Sequence, residues 1–221
     1  MLASDLYRIQ GKHKDFYRSS LRFLGCTDVE EMSKEEQAKH AFFLSLAALL
    51  GDKVFNFGEL LAHKVLESLK GGENEWLIDI LFAFNSGDVA KFRALKPKWS
   101  SQPDLAANEA VLFEKVCLMC LMEMTFRREA TARQIDFGEI AAQTTLPVDQ
   151  VEMLIMKALS QGLVRGRIDE VEQNVSLTWV QPRVLDKQQV VTMTKKIESW
   201  CMSVQSMEVL IENKAGEILT Y

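Results

Sequence analysis

Prolines, cysteines and histidines are scarce: four, four and three among 221 residues, beside 11 glycines. So little Pro and Gly excludes a collagenous or low-complexity chain. Long apolar runs are missing as well. The longest, Ala41 to Leu50, is interrupted by Ser45 and reaches half of the ~20 residues that a membrane-spanning helix needs. The chain opens on polar and charged residues (Ser4, Asp5, Arg8), unlike a secretory leader. A basic excess is also lacking. The net charge is −5 and the pI near 5.4, which argues against a general phosphate binder. What is present, 48% hydrophobic and 26% charged residues, is the composition of an ordinary globular chain of one or two domains.

Signatures of chemistry are thin. Gly71-Gly72 is not followed by Lys-Ser/Thr, and neither G-x-S-x-G nor H-E-x-x-H occurs. The carboxylates of Glu30-Glu31, Glu35-Glu36 and Glu170/Glu172 lie in polar runs and read as solvated. His13, His40 and His63 are far apart, each in a helical pattern. Cys117 and Cys120 form a C-x-x-C, but inside the apolar helical run Phe113 to Met124. A redox pair belongs at a helix N-terminus, where the dipole lowers the thiol pKa. Cys26 and Cys201 are too scattered for a disulfide framework, so four free thiols of a reducing compartment are expected. No second Cys or His pair completes a zinc site. We expect no enzyme, no cofactor and no metal.

The first half reads as successive helices. Leu6, Ile9, His13, Phe16, Ser20, Leu21 and Leu24 trace one face of a single helix that Gly25 stops as an αL residue. Ser33-Lys-Glu-Glu36 is a capping box opening a helix to Leu50. Asn56 is a candidate cap for a helix through Leu69, closed by Gly71-Gly72. Asn74 caps the next, to Gly87, and Asp88 the one after, to Leu95. Pro97 and Pro103 mark a boundary between Lys96 and Asp104. Starts near residues 3, 34, 56, 74 and 88 have no fixed period, so the pattern is an irregular solenoid. Its first helix begins almost at Met1 with no polar capping repeat before it, which points to a missing N-terminal part.

The second half changes character. A long helix is predicted over Glu109 to Arg127, a short strand at Gln134–Asp136, and helices over Phe137–Gln143 and Val148 to Gly162. A two-stranded ribbon follows at Leu163–Asp169 and Asn174–Val180, where Val175, Leu177 and Trp179 alternate with Ser176 and Thr178. This is the order of a winged helix. In DNA readers the second helix of the turn enters the major groove and needs cations for phosphates. Here it carries Asp149 and Glu152 against Lys157, and residues 109–221 hold 12 basic and 16 acidic side chains. The acidity sits where a DNA reader is basic, so we expect protein rather than nucleic acid as the partner.

After Pro182, the residues Val190, Met193, Ile197, Trp200, Val204, Met207 and Ile211 are spaced 3, 4, 3, 4, 3, 4. That is a heptad seam, with Val and Ile at a-type positions and Met and Trp at d. The plain alternative is a helix folded back on its own domain. The flanking positions Thr194, Lys196, Cys201, Ser203, Glu208 and Leu210 are mostly uncharged, unlike a two-stranded coiled coil. A bundle of several helices fits better, with Trp200 as its anchor.

The resulting fold class is mostly α: an irregular helical-repeat solenoid, a winged helix and a long C-terminal helix. The expected division is 1–103 TPR-like repeats, 104–182 winged helix and 183–221 C-terminal bundle helix and tail. This order resembles the PCI-domain family, shared by the proteasome lid, the signalosome and initiation factor three. The strings Phe55-Asn-Phe-Gly-Glu-Leu-Leu61, Trp76-Leu-Ile-Asp79, Ala83-Phe-Asn-Ser-Gly87, Gln102 to Glu109, Leu118 to Phe126, Val151 to Ser160 and Thr178 to Leu185 are similar to a lid member of that family. The likeness runs from about Tyr7 to Thr220.

The resemblance implies a non-catalytic scaffold of the proteasome lid in the cytoplasm and nucleus, serving ubiquitin-dependent degradation. Its partners would be other PCI subunits in a hetero-oligomer, not nucleic acid or membrane. It further implies winged helices lined up side by side, which adds the ribbon residues Val175, Leu177 and Trp179 to the seven seam residues as expected interface. It also implies that this chain lacks the family's N-terminal repeats. The alternatives are a PCI subunit of another complex or a nucleic-acid-binding winged helix.

Overall fold

The computed structural model describes residues 2–27, 32–129, 132–185 and 187–218. Two compact units emerge, Met1–Arg183 and Val184–Tyr221. In the first, α1 (Leu2–Ile9) and α2 (His13–Cys26) replace the single helix expected there. The break is at Gly11, whose φ of 69° closes a Schellman turn, with Lys12 N–H donating to Tyr7 C=O at 3.0 Å. Only Phe16, Tyr17, Ser20 and Leu24 of α2 are buried, while Leu6 and Ile9 are exposed. Gly25 lies inside α2 and stops nothing. Spacing alone bridged a glycine that the backbone uses as a turn.

α3 (Lys34–Leu50) begins on the expected capping box: Ser33 Oγ accepts from Glu36 N–H, and Ser33 N–H donates to the Glu36 carboxylate. That hydrogen bonding holds the Glu36 carboxyl below its usual range. Glu30 and Glu31 lie outside the described residues. Between Asn56 and Leu69 the expected helix is split into α4 (Gly58–Ala62) and a 3-10 turn, Lys64–Leu69. The split falls at His63, extended at ψ 133°, whose Nδ1 accepts from Val65 N–H. Neither Asn56 nor Asn74 caps a helix. The Asn56 carbonyl instead accepts from the buried Tyr17 hydroxyl at 3.1 Å, tying α2 to this turn.

α5 (Trp76–Ser86) ends at Gly87 and α6 (Val89–Ala94) starts on the Asp88 cap, both as expected. The proline-bearing stretch forms two short helices, α7 (Lys96–Trp99) and α8 (Pro103–Ala107), with Pro97 and Pro103 in their first turns. Trp99 is buried and stacks on Phe92 at 5.2 Å. Phe92 meets Phe84 at 5.4 Å, and Phe84 meets Phe57 at 5.9 Å, both edge to face. This aromatic row fastens the helical repeats together.

α9 (Glu109–Arg127) is the central helix, and every residue from Lys115 to Glu123 is buried. A helix covered on all sides has no polar face to show. Around it stand β1 (Gln134–Asp136), α10 (Phe137–Thr144), α11 (Val148–Ser160), β2 (Val164–Asp169) and β3 (Asn174–Val180). The sheet order is β1-β3-β2, antiparallel throughout, with Val175 facing Ile135 on one side and Ile168 on the other. A bulge at Arg165/Gly166 shifts the register. Gly166 is required there, because a Cβ would stand 2.2 Å from the Ser176 carbonyl. Three helices and a winged sheet give the winged helix its expected form. The second unit contains α12 (Lys187–Ile218), a single helix of 32 residues.

Candidate protein-interaction surfaces

Two polar devices inside the first unit position its helices, and neither was legible in the sequence. Lys115 of α9 is 5% exposed, and its ammonium donates to the carbonyls of Ala48, Leu49 and Gly51 at 2.8, 2.9 and 2.9 Å. Those carbonyls end α3, where the last turn has no intrahelical donors. The rings of Phe57 and Phe55 lie 5.3 and 5.8 Å from the same nitrogen. Burial pushes the Lys115 pKa down to about 7, with Asp52 opposing. The second device is the carboxylate of Glu123, held by Arg127 at 3.0 Å and by Arg183 at 2.5 Å. Arg183 also donates to the Asn85 carbonyl at 3.0 Å, so the strand exit beyond β3 is pinned to α5 and α9.

The C-x-x-C lies in the middle of α9, away from any helix N-terminus. Cys117 and Cys120 are buried, and desolvation pushes their thiols up to about 12 and about 11. Cys26 and Cys201 are exposed. In the folded protein a maleimide at neutral pH is expected to label Cys26 and Cys201 and to spare Cys117 and Cys120 until denaturant is added. Equal labelling rates for all four would contradict that. Among the described residues no three His, Cys, Asp or Glu side chains come together to hold a metal, and no helix is long and apolar enough to cross a membrane.

Val190, Met193, Ile197, Trp200, Val204, Met207 and Ile211 share one side of α12, from 48% exposed at Val204 to 68% at Trp200. Val191, Met202, Val209 and Leu210 are exposed as well, so apolar surface reaches beyond the seam. The ribbon residues divide differently. Val175 and Leu177 are buried in the first unit's own core, on the central strand of the sheet. Packing inward, they are not at the surface where the resemblance implied an interface. Trp179 is half-buried beneath the Arg165 guanidinium, 4.7 Å from its ring.

Helical repeats lead into a winged helix, and a long helix follows them in the sequence. Residues 89–179 match the PCI domain, and residues 1–81 match the PSD13 N-terminal repeats. The second match overturns the expectation that such repeats are missing. The irregular helices read over residues 1–103 contain that matching stretch. Among relatives, the chain is 39% identical to 26S proteasome non-ATPase regulatory subunit 13 homolog A of Arabidopsis thaliana, over 99% of this chain and 58% of that protein. It is 36% identical to the 26S proteasome regulatory subunit RPN9 of Saccharomyces cerevisiae, over 97% of this chain and 55% of that protein. It is 26% identical to eukaryotic translation initiation factor 3 subunit M of Yarrowia lipolytica, over 72% and 40%. The chain thus spans somewhat over half the length of its proteasomal relatives.

Proposed function

We propose that the chain is a non-catalytic scaffold subunit of the 26S proteasome lid, joining other PCI subunits into a hetero-oligomer for ubiquitin-dependent degradation. The observation that carries this reading is the exposed seam on α12. Seven large apolar side chains at coiled-coil spacing are costly to leave in water, at roughly 25 cal/mol per Å2 of apolar surface. Apolar residues outside the seam (Met202, Val209) favour several helical neighbours over one. In this reading residues 1–103 serve as helical repeats, 104–182 as the winged helix of the PCI domain, and 183–221 as bundle helix and tail. Relatives named as non-ATPase regulatory subunits support a structural role, and cytoplasm and nucleus are the location that this reading implies.

Trp200→Glu places a charge at the centre of the seam. A tagged variant is expected to lose co-purification of lid subunits at least tenfold while keeping its helical circular dichroism. Undiminished recovery of lid subunits with the variant would sink the proposal. A second reading, a subunit of initiation factor three, draws on the 26% identity to subunit M. Recovery of initiation-factor subunits in place of lid subunits would favour it.

A further inference from the structure

The winged helix carries a second surface, separate from the α12 seam. α11 buries Val151, Leu154, Ile155 and Ala158, and its other side presents Met153 and Met156, 68% and 45% exposed. Asp149 precedes Met153, and Glu152 precedes Met156, by four residues, so each carboxylate stands one turn from a methionine. The turn between β2 and β3 comes up against this helix. Glu170 lies beside Glu152, and its carboxyl, with desolvation adding, holds the Glu152 carboxyl above its usual range. Beside them Val171, at the tip, is 90% exposed between Glu170 and Glu172. Lys157, the only cation of α11, is bound to Glu114 of α9. Among the described residues no ion pair reaches Asp149, Glu152, Glu170 or Glu172.

In DNA-reading winged helices the recognition helix and the wing grip the duplex with cations. The same two elements here carry thioethers rimmed by carboxylates. We propose that the outer face of α11 and the β2–β3 tip form a docking surface for a basic amphipathic helix of another protein. Its apolar stripe lies on Met153 and Met156, and its Lys or Arg side chains meet Asp149, Glu152 and Glu170. Methionine suits such a role, being unbranched and polarizable enough to mould to a helix. The commitment to a basic partner comes from the charge. Two carboxylates in contact repel each other, and a cation seated between them relieves the repulsion.

The test is fluorescence anisotropy of a labelled Leu/Lys amphipathic helical peptide titrated with the full chain, beside a Leu/Glu counterpart. The Leu/Lys peptide is expected to bind and the Leu/Glu peptide to fail. Met153→Glu with Met156→Glu weakens binding at least tenfold. Glu152→Gln with Glu170→Gln weakens it several-fold and flattens its salt dependence. Trp200→Glu leaves it unchanged. Equal binding of both peptides overturns the proposal. So does a loss caused by Trp200→Glu but not by the α11 variants, which puts the peptide on α12. Displacement of the peptide by a DNA duplex assigns the surface to nucleic acid and overturns it as well. Glu152 is half-buried and Glu170 exposed, outside the core, so the glutamine pair keeps the question open to measurement should the double methionine variant misfold.

Discussion

Gly87→Ala is expected to destabilise the first unit by about 3–5 kcal/mol, lowering its thermal midpoint by roughly 10 °C or more. Two costs combine. Gly87 sits at φ 65°, where a Cβ costs about 1 kcal/mol. More important, the added carbon would stand 2.5 Å from Cys120 Cα, 2.6 Å from Cys120 N and 2.9 Å from the Met119 carbonyl carbon. These are backbone atoms of the buried helix α9, so no rotamer change can relieve the overlap. α5 and α9 must separate, and separation opens gaps through a close-packed interior. Gly71→Ala is the matched control, with φ 75° and nothing within 4 Å of its Cβ. It isolates the conformational cost, at about 1 kcal/mol. Urea unfolding of both variants checks the argument, and equal losses would refute the steric part.

Lys115→Met is expected to cost about 3–5 kcal/mol, although Met matches the lysine stem in length and leaves little cavity. The loss comes from the Ala48, Leu49 and Gly51 carbonyls, whose shared donor disappears in a site closed to water. The wild-type lysine also imposes a pH dependence. Its folded pKa, about 7, lies below the ordinary lysine value of 10.5 because burial disfavours the charge. Between those values the unfolded chain holds a proton that the folded chain has released, so stability rises with pH across this window. The slope approaches about 1.4 kcal/mol per pH unit at most and vanishes below the folded pKa, where both states are protonated. Denaturation midpoints from pH 6 to pH 10 should show the rise in wild type and its disappearance in Lys115→Met. Parallel profiles for the two proteins would show that Lys115 does not titrate in this window.

Where local chemistry decides, the sequence was a sound guide. The Ser33/Glu36 box, the Asp88 cap, the Gly87 stop and the bounds of α9 and β3 all follow from side chains acting on neighbouring backbone. Errors arose where a distant contact outweighed local preference. Asn56 looks like a helix cap, but its carbonyl is taken by Tyr17, 39 residues away. His63 is a local exception: it interrupts a good helical pattern because its ring accepts a bond from Val65 N–H, two residues on, which apolar spacing does not reveal.

The candidate surfaces divide along the same line. A 3-4 repeat can be counted, so the α12 seam was visible residue by residue. Period-2 alternation could not tell whether Val175 and Leu177 face a partner or their own core. That depends on β3 lying between two strands, a fact of pairing rather than of sequence. The sequence by itself determined the helical class, the winged-helix order, the misplaced acidity and the C-terminal seam, because each rests on spacing or charge along one segment. Only the tertiary structure decided that Lys115 ends α3, that Gly87 admits α9, and that the wing tip sets Glu170 against Glu152. Each of those joins groups remote in the chain, and their energy exists only once the backbone has brought them within bonding distance.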